Sequence, residues 1–490
     1  MKILEEASRC LLCEQAPCTT ACKKNCDPAR ALRAVRFDNT ADAARWLSAD
    51  ACAQCEAPCE AACVHYDMPL RIREMAKALP AAESAPAADL SIDFCGIRCE
   101  NPFFLASSAI CTDYDMVAAA FEAGWAGVFY KTICKGDIEE VSPRFDAVSN
   151  ANRSFSGFRN MEQLSENTVE HDLDVFRRLK ANYPTKIVVA SIMGNTEEEW
   201  IELAHLVEDA GADAIELNFS CPQMKIAGMG SDVGQNSELC MHYTAYVKQA
   251  VKIPVIAKMT PNITHISQPA LASYMGGADA ISAINTIKSV TMSTEAEVTG
   301  KRTISGYSGK AVKPIALRYI LEMSSNPMLT HRLPGHQDYG ALQLSGIGGI
   351  ETWRDALEFM QLGCQNVQIC TAVMQYGYRI IDDLKDGLMR YMTDNNISHL
   401  NDLVGSELPS FVRPSEMDRT TKVFPLFHRD QCLHCGRCYV SCRDGGHQAI
   451  EFGEDRTPHL IGKKCVGCHL CRLVCPADAI GMAKRMKIRD

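Results

Sequence analysis

The sequence predicts an α/β protein, a closed (β/α)8 barrel with a small cysteine-rich domain on either side. Eight strand-like apolar runs alternate with amphipathic segments over about 300 residues, which suits a closed TIM barrel better than an open sheet. The 25 cysteines are unevenly placed, nine between Cys10 and Cys63, eight between Cys432 and Cys475 and eight over the long middle. Between the first array and the alternating region, Ala78 to Ala88 has the small residues and prolines of a linker. The expected organisation is a helical iron-sulfur domain at 1–78, a linker at 79–89, the barrel at 90–405, a connector at 406–421 and a second cluster domain at 422–490.

In the first domain Cys10-x2-Cys13-x4-Cys18-x3-Cys22-x3-Cys26 precedes a helical stretch, Asp27 to Trp46, and Cys52-x2-Cys55-x3-Cys59-x3-Cys63 follows it. Nine thiols at this spacing suit two [4Fe-4S] clusters, with zinc held by compact CxxC pairs as the alternative. Leu90 to Arg98, broken at Gly96, reads as a hairpin. The strand-like runs are Phe103 to Ser107, Gly127 to Ile133, Ile187 to Met193, Ala214 to Ser220, Pro254 to Met259, Ala280 to Thr286, Leu342 to Ile347 and Asn366 to Ala372. Helical patterns lie between them; in Glu197 to Ala210 the residues Trp200, Leu203, Ala204 and Val207 share one face.

Polar residues collect at the carboxyl ends of these runs, where such barrels place their chemistry: Ser107, Lys131, Asn218, Lys258, Asn285, Thr286, Gly348, Gly349 and Thr371. The stretch from Glu216 to Pro222 delivers an amide, a hydroxyl and a thiol together. Residues three apart on a strand face opposite ways, so Asn218 and Cys221 converge only if the chain is already turning at Cys221. A core cysteine is the plain alternative. Gly228 to Gly234 imitates a dinucleotide fingerprint, but it is one residue too long and follows the fourth run at a distance; the segment from Gln223 to Gln235 reads as a mobile active-site loop. Gly346-x-Gly348-Gly349, with Thr371 after the eighth run, matches the phosphate position of barrels.

In the last domain Cys432-x2-Cys435-x2-Cys438-x3-Cys442 and Cys465-x2-Cys468-x2-Cys471-x3-Cys475-Pro476 have the two-cluster bacterial ferredoxin spacing, in which the fourth Cys of each run serves the other cluster. One cluster then takes Cys432, Cys435, Cys438 and Cys475, the other Cys465, Cys468, Cys471 and Cys442. The formal net charge of -10 comes without a long basic block, the first residues lack the apolar core of a signal peptide, and no apolar run is long enough to span a bilayer. A cytoplasmic protein without nucleic-acid or membrane partners is expected.

From about Leu90 onward the chain resembles the dihydropyrimidine dehydrogenase family, most of all its bacterial NAD-dependent catalytic subunits. The likeness runs through Asn101-Pro-Phe, Lys131-Thr132, Asn218-Phe-Ser-Cys221-Pro, Lys258-Met-Thr-Pro-Asn262, Asn285-Thr286, Ser305-Gly-Tyr-Ser-Gly309 and Gly346-Ile-Gly-Gly-Ile350. The resemblance implies an FMN-binding barrel that reduces the 5,6 double bond of uracil or thymine, or runs the reverse. It implies FMN contacts at Ala106, Ser107, Lys131, Thr132, Lys258, Gly309, Gly348, Gly349, Cys370 and Thr371. It implies pyrimidine contacts at Asn160, Asn218, Phe219, Ser220, Asn285 and Thr286, with Cys221 as general acid and Lys131 and Lys258 stabilising negative charge on the reduced flavin. The first 78 residues resemble the cluster domain that the family sets ahead of an FAD and NAD(P) module, yet here the linker leads directly to the barrel. The family pattern gives Cys10, Cys13, Cys18 and Cys63 to one cluster and Cys22, Cys55 and Cys59 to the other. The animal enzyme adds a glutamine to the second, the matching position here falls near Ala76, and Cys26, Cys52 or a non-Cys residue stands as the fourth ligand. Electrons are expected from an FAD/NAD(P)-binding flavoprotein subunit or a ferredoxin, within a homodimer in a larger complex. The rivals are a dihydroorotate dehydrogenase-like FMN enzyme and an electron-transfer subunit without its own substrate.

Overall fold

A computed structural model describes residues 2–149, 155–222, 230–292, 300–330 and 342–487. The chain divides into two compact units, Met1–Leu408 and Pro409–Asp490.

Eight parallel strands close the barrel of the first unit: β1 (Phe103–Leu105), β2 (Gly127–Phe129), β3 (Ile187–Ile192), β4 (Ala214–Asn218), β5 (Val255–Lys258), β6 (Ala280–Ala283), β7 (Gln343–Ile347) and β8 (Cys364–Ile369), each paired with its neighbour in sequence and β8 with β1. Several strands end short of the apolar runs that mark them, so Lys131, Cys221, Asn285 and Thr286 lie beyond the strand ends, where the chain is free to turn side chains over the mouth. Register sets Asn218 level with Lys258, and Lys258 level with Ser282. The helix Glu197–Asp209 is capped by Thr196, whose hydroxyl accepts from Glu199 N at 3.3 Å, and buries Trp200, Leu203, Ala204 and Val207. The expected hairpin is present, Ile92–Phe94 against Ile97–Cys99, turning through Cys95 and Gly96, both at positive φ.

One element was not legible: an antiparallel four-stranded sheet built from insertions after β2 and β6, in the order Ile287–Ser289, Ser305–Ser308, Phe155–Asn160, Phe145–Ser149. It pairs Asn160 with Gly306, where a Cβ would come within 2.4 Å of Thr286 Oγ1.

The N-terminal helices pack on the barrel. Asp27 caps the helix Pro28–Arg36 by accepting from Arg30 N at 3.0 Å. The expected single helical stretch to Trp46 is broken at Asp38, whose positive φ separates a second short helix, Thr40–Ala43. That break lets Asp38 O accept from Trp353 Nε1 at 3.1 Å and Asn39 Nδ2 donate to Asp383 O at 2.7 Å. Arg33 pairs with Asp383 at 2.6 Å and Arg390 with Asp42 at 2.8 Å. The second unit is built of three two-stranded ribbons and the helices Arg437–Gly445 and Leu470–Leu473.

Candidate active site and cluster sites

At the carboxyl ends of the strands the barrel opens into a cavity of about 1090 Å³, counting its mouth. Ala106, Ser107, Lys131, Thr132, Asn160, Asn218, Cys221, Lys258, Asn285, Thr286, Gly309, Gly348, Gly349, Cys370 and Thr371 all line it. Asn218 Nδ2 donates to Thr132 Oγ1 at 2.9 Å, and its Oδ1 accepts from Ser220 N at 3.1 Å and Ser220 Oγ at 2.7 Å. Asn285 Nδ2 donates to the same Ser220 Oγ at 2.9 Å. The two amides are thereby fixed in one frame, and each amide nitrogen spends one of its two N–H donors on it, leaving a second to offer the cavity. Cys221 is 5 % exposed beside them. The turn that brings it round rests on Ser231 N donating to Cys221 O at 2.9 Å, and on Gly234, where a Cβ would meet Phe219 O at 2.1 Å.

Of the expected substrate contacts, Phe219 and Ser220 are the two that do not line the cavity. Asn218 faces the cavity, so Phe219 points the other way; its ring packs edge-on against Trp200 at 5.5 Å and does not line the cavity. Ser220 is fully buried and bridges Asn218 and Asn285. The expected mobile loop falls largely outside the described residues; its last part, Gly230–Gln235, is a short 3-10 helix.

The sequence reading gave no role to two carboxylates that govern the charge here. Lys131 Nζ lies 3.1 Å from Glu162, which also faces Arg144 at 3.8 Å. Lys258 Nζ lies 3.3 Å from Glu216, a fully buried carboxylate that also accepts from Ser191 Oγ at 3.1 Å and Ser282 Oγ at 2.7 Å. Lys310, the remaining lysine of the cavity wall, faces Glu351 at 3.6 Å. Burial pushes the Glu351 carboxyl above its usual range while Lys310 draws it back. Among the described residues every lysine of the wall therefore has a carboxylate partner. Glu216 carried a signal, a charge inside an apolar strand; Glu162 follows a strand the pattern did not show.

The cavity fits a flavin nucleotide. Its wall is bare backbone at Gly309, Gly348 and Gly349, all at positive φ, and at Gly349 a Cβ would stand 2.7 Å from Lys313 N. Gln368 donates from Nε2 to Ser345 Oγ at 2.9 Å, but its buried Oε1 has no protein partner at the cavity wall. An unmatched acceptor of this kind suits a ligand edge carrying an N–H, as an isoalloxazine ring does.

In the second unit one recess gathers Cys432, Cys435, Cys438 and Cys475, and another Cys442, Cys465, Cys468 and Cys471. Backbone N–H groups point at the sulfurs in matching positions: His434 N to Cys432 and Gly467 N to Cys465 at 3.4 Å, Ala449 N to Cys442 and Ala479 N to Cys475 at 3.3 Å. Such bonds tune the potential of an iron-sulfur cluster. In the first unit one recess is lined by Cys10, Cys13, Cys18 and Cys63, and another by Cys22, Cys52, Cys55 and Cys59. Burial pushes the thiols of Cys18 and Cys52 up to about 11 and that of Cys59 to about 12, a cost that metal coordination would offset. Among the described residues no three His, Cys, Asp or Glu stand close enough to share a single ion. None of the 25 cysteines is in a disulfide.

Among the described residues no helix is long and apolar enough to cross a membrane. A dihydroorotate dehydrogenase family model matches residues 89–392, and a 4Fe-4S dicluster domain model matches 426–482; the first cysteine array lies outside both spans. The chain is 50% identical over 403 residues to the NAD-dependent dihydropyrimidine dehydrogenase subunit PreA of Escherichia coli K12, covering 81% of this chain and 96% of that protein. It is 37% identical over 357 residues to the chloroplastic dihydropyrimidine dehydrogenase (NADP(+)) of Arabidopsis thaliana, covering 70% and 82%. The catalytic subunit of dihydroorotate dehydrogenase B (NAD(+)) of Pyrococcus horikoshii is 34% identical over 324 residues, covering 65% and 98%. With its closed barrel, its cavity and its dicluster domain, the chain belongs to the dihydropyrimidine dehydrogenase family of oxidoreductases, built on the dihydroorotate dehydrogenase barrel.

Proposed function

We propose that the chain is the catalytic subunit of a dihydropyrimidine dehydrogenase, interconverting uracil or thymine and the 5,6-dihydropyrimidine. The observation that supports this most is the pairing of a fixed amide frame, Asn218 and Asn285, with Cys221 at the wall of a cavity whose described lysines are all charge-matched. A pyrimidinedione is neutral and alternates C=O acceptors with N–H donors around its edge. Amide N–H groups held in place match those carbonyls, and Asn160 and Thr286 add polar groups from the neighbouring loop and sheet. Orotate carries a carboxylate, which favours an unmatched cation; the wall shows none among the described residues.

Cys221 is the proton donor in this reading. A thiol with an ordinary value near 8.5 is protonated at neutral pH and gives its proton to C5. Ala106, Ser107, Lys131, Thr132, Lys258, Gly309, Gly348, Gly349, Cys370 and Thr371 would hold FMN, which when bound would supply hydride chemistry at C6 and a junction to single-electron clusters. The cluster thiolates are those of the recesses described above. We place the protein in the cytoplasm, where thiols stay reduced, as a homodimer served by an FAD/NAD(P)-binding flavoprotein subunit or a ferredoxin. The Escherichia coli relative is itself named a subunit.

The test is stopped-flow mixing of chemically reduced protein with uracil, thymine or orotate. Rapid flavin reoxidation by uracil or thymine, with orotate much slower, is expected. Preference for orotate would favour the dihydroorotate dehydrogenase reading. Reoxidation by none of these, with their reduced forms also inert toward oxidised protein, would favour an electron-transfer subunit.

A further inference from the structure

We infer that the second N-terminal cluster is held by four thiolates, with Cys52 as the fourth ligand and Cys26 a resident free thiol. The assignment rests on the reading of the first array as two [4Fe-4S] sites. The recess lined by Cys22, Cys55 and Cys59 is closed by Cys52; Cys26 does not line it. Ala76, near which the resemblance sets the animal enzyme's glutamine, is buried in the helix Ile72–Ala78 and offers only a methyl group.

Local geometry separates the two candidates further. Cys52 is buried in the helix Ala49–Ala53, whose start is capped by Ser48 Oγ accepting from Ala51 N at 3.3 Å. Cys55 N donates to Cys52 O at 3.2 Å, so the two thiols of the Cys52-x2-Cys55 pair are set on one tight turn. Cys26 lies beside Cys52 but does not line the recess, its sulfur standing 3.8 Å from Lys24 O. Two cations complete the recess, Lys24 and Arg73, the latter donating to Cys55 O at 2.9 Å. Cations here offset the extra negative charge that a fourth thiolate brings to the cluster.

The experiment uses the full-length holoprotein purified without oxygen. Wild type is expected to hold about 16 irons, four for each of four cubanes; about eight would remove the four-cluster reading itself, and this assignment with it. Given about 16, Cys52→Ser should lose about four irons and the same electron paramagnetic resonance signal of the reduced protein that Cys22→Ser loses. The Cys22→Ser/Cys52→Ser double variant should lose no more than either single one, and Cys26→Ser should keep the full complement. Loss of a cluster from Cys26→Ser with retention in Cys52→Ser, retention in both, or additive losses in the double variant would overturn the assignment. Should Cys52→Ser not fold, alkylation of the intact wild-type holoprotein decides. Modification of Cys26 without iron release is expected, and release of about four irons on its modification would overturn the proposal.

Discussion

Replacing Glu216 by Gln tests the charge logic of the cavity. The side chain is fully buried and accepts from Ser191 Oγ, Ser282 Oγ and Lys258 Nζ. Gln keeps the volume and one carbonyl oxygen, and the serine hydroxyls can rotate to serve an amide as donors or acceptors. The loss is therefore concentrated in Lys258, only 4 % exposed, whose ammonium is left without its counter-charge. Breaking a buried pair in this way costs about 3–5 kcal/mol. For a unit of about 400 residues, at roughly 2.1 cal/mol/K per residue, that lowers Tm by about 3.5–6 °C. The companion is Glu216→Gln with Lys258→Met, which removes both charges and should recover most of the loss. Calorimetry or circular dichroism on flavin-stripped protein measures this without cofactor binding entering the comparison. A single variant within about 1 kcal/mol of wild type, or a double variant no better than the single one, would refute the claim that the pair acts as a unit.

Cys221→Ala should retain flavin and pyrimidine binding while turnover falls about 10²- to 10⁴-fold, with Cys221→Ser similar; near-normal turnover would return Cys221 to the role of a core cysteine. Burial works against ionisation of Asp355, but the Lys313 ammonium and the N–H groups of Glu351 and Thr352 hold its carboxyl below the usual range. Its folded value lies under its unfolded one, so its stabilisation is present above the ordinary carboxylate value, near 3.8, and is lost as pH falls through the folded value. The Tm gap between wild type and Asp355→Asn should accordingly narrow as pH is lowered from about 5 to about 3. NADH or NADPH alone should leave the flavin absorbance of the purified chain unchanged, and adding a flavoprotein subunit or a reduced ferredoxin should bleach it; prompt bleaching without a partner would reveal a nicotinamide site.

What the sequence made legible, it made legible through periodicity and spacing. Eight apolar runs in order mark a barrel because each strand is buried on both faces, and cysteine spacing marks clusters because the ligands are local. Asn218, Lys258 and Asn285 were readable as strand-end residues for the same reason. Phe219 came from the resemblance, and strand alternation turns its ring toward Trp200, away from the cavity. Asn160 came only from resemblance, since the strand Phe155–Asn160 gains its place by pairing with Ser305–Ser308, far along the chain. Glu162 was missed on the same ground. The fourth cysteine of the second N-terminal site is a case of two near-equivalent thiols, Cys26 and Cys52, that only the fold separates.

The paired carboxylates also change what the cavity lysines do. Taken alone, a lysine about 4 Å from a developing negative charge is worth about 4 kcal/mol at an effective dielectric of about 20. Glu216 stands 3.3 Å from Lys258, and Glu162, itself on the cavity wall, 3.1 Å from Lys131, so each lysine acts with its own counter-charge close by. By the same relation a carboxylate about 3 Å further off cancels roughly half of that attraction or more. What survives is short-ranged and directional, the N–H donors of each ammonium held in place by its carboxylate. Such a wall stabilises charge where it develops against those donors and offers little net attraction to an anion elsewhere in the cavity. That division suits a neutral ring that must accept a hydride, and it explains why the basic residues at these strand ends are accompanied by Glu216 and Glu162.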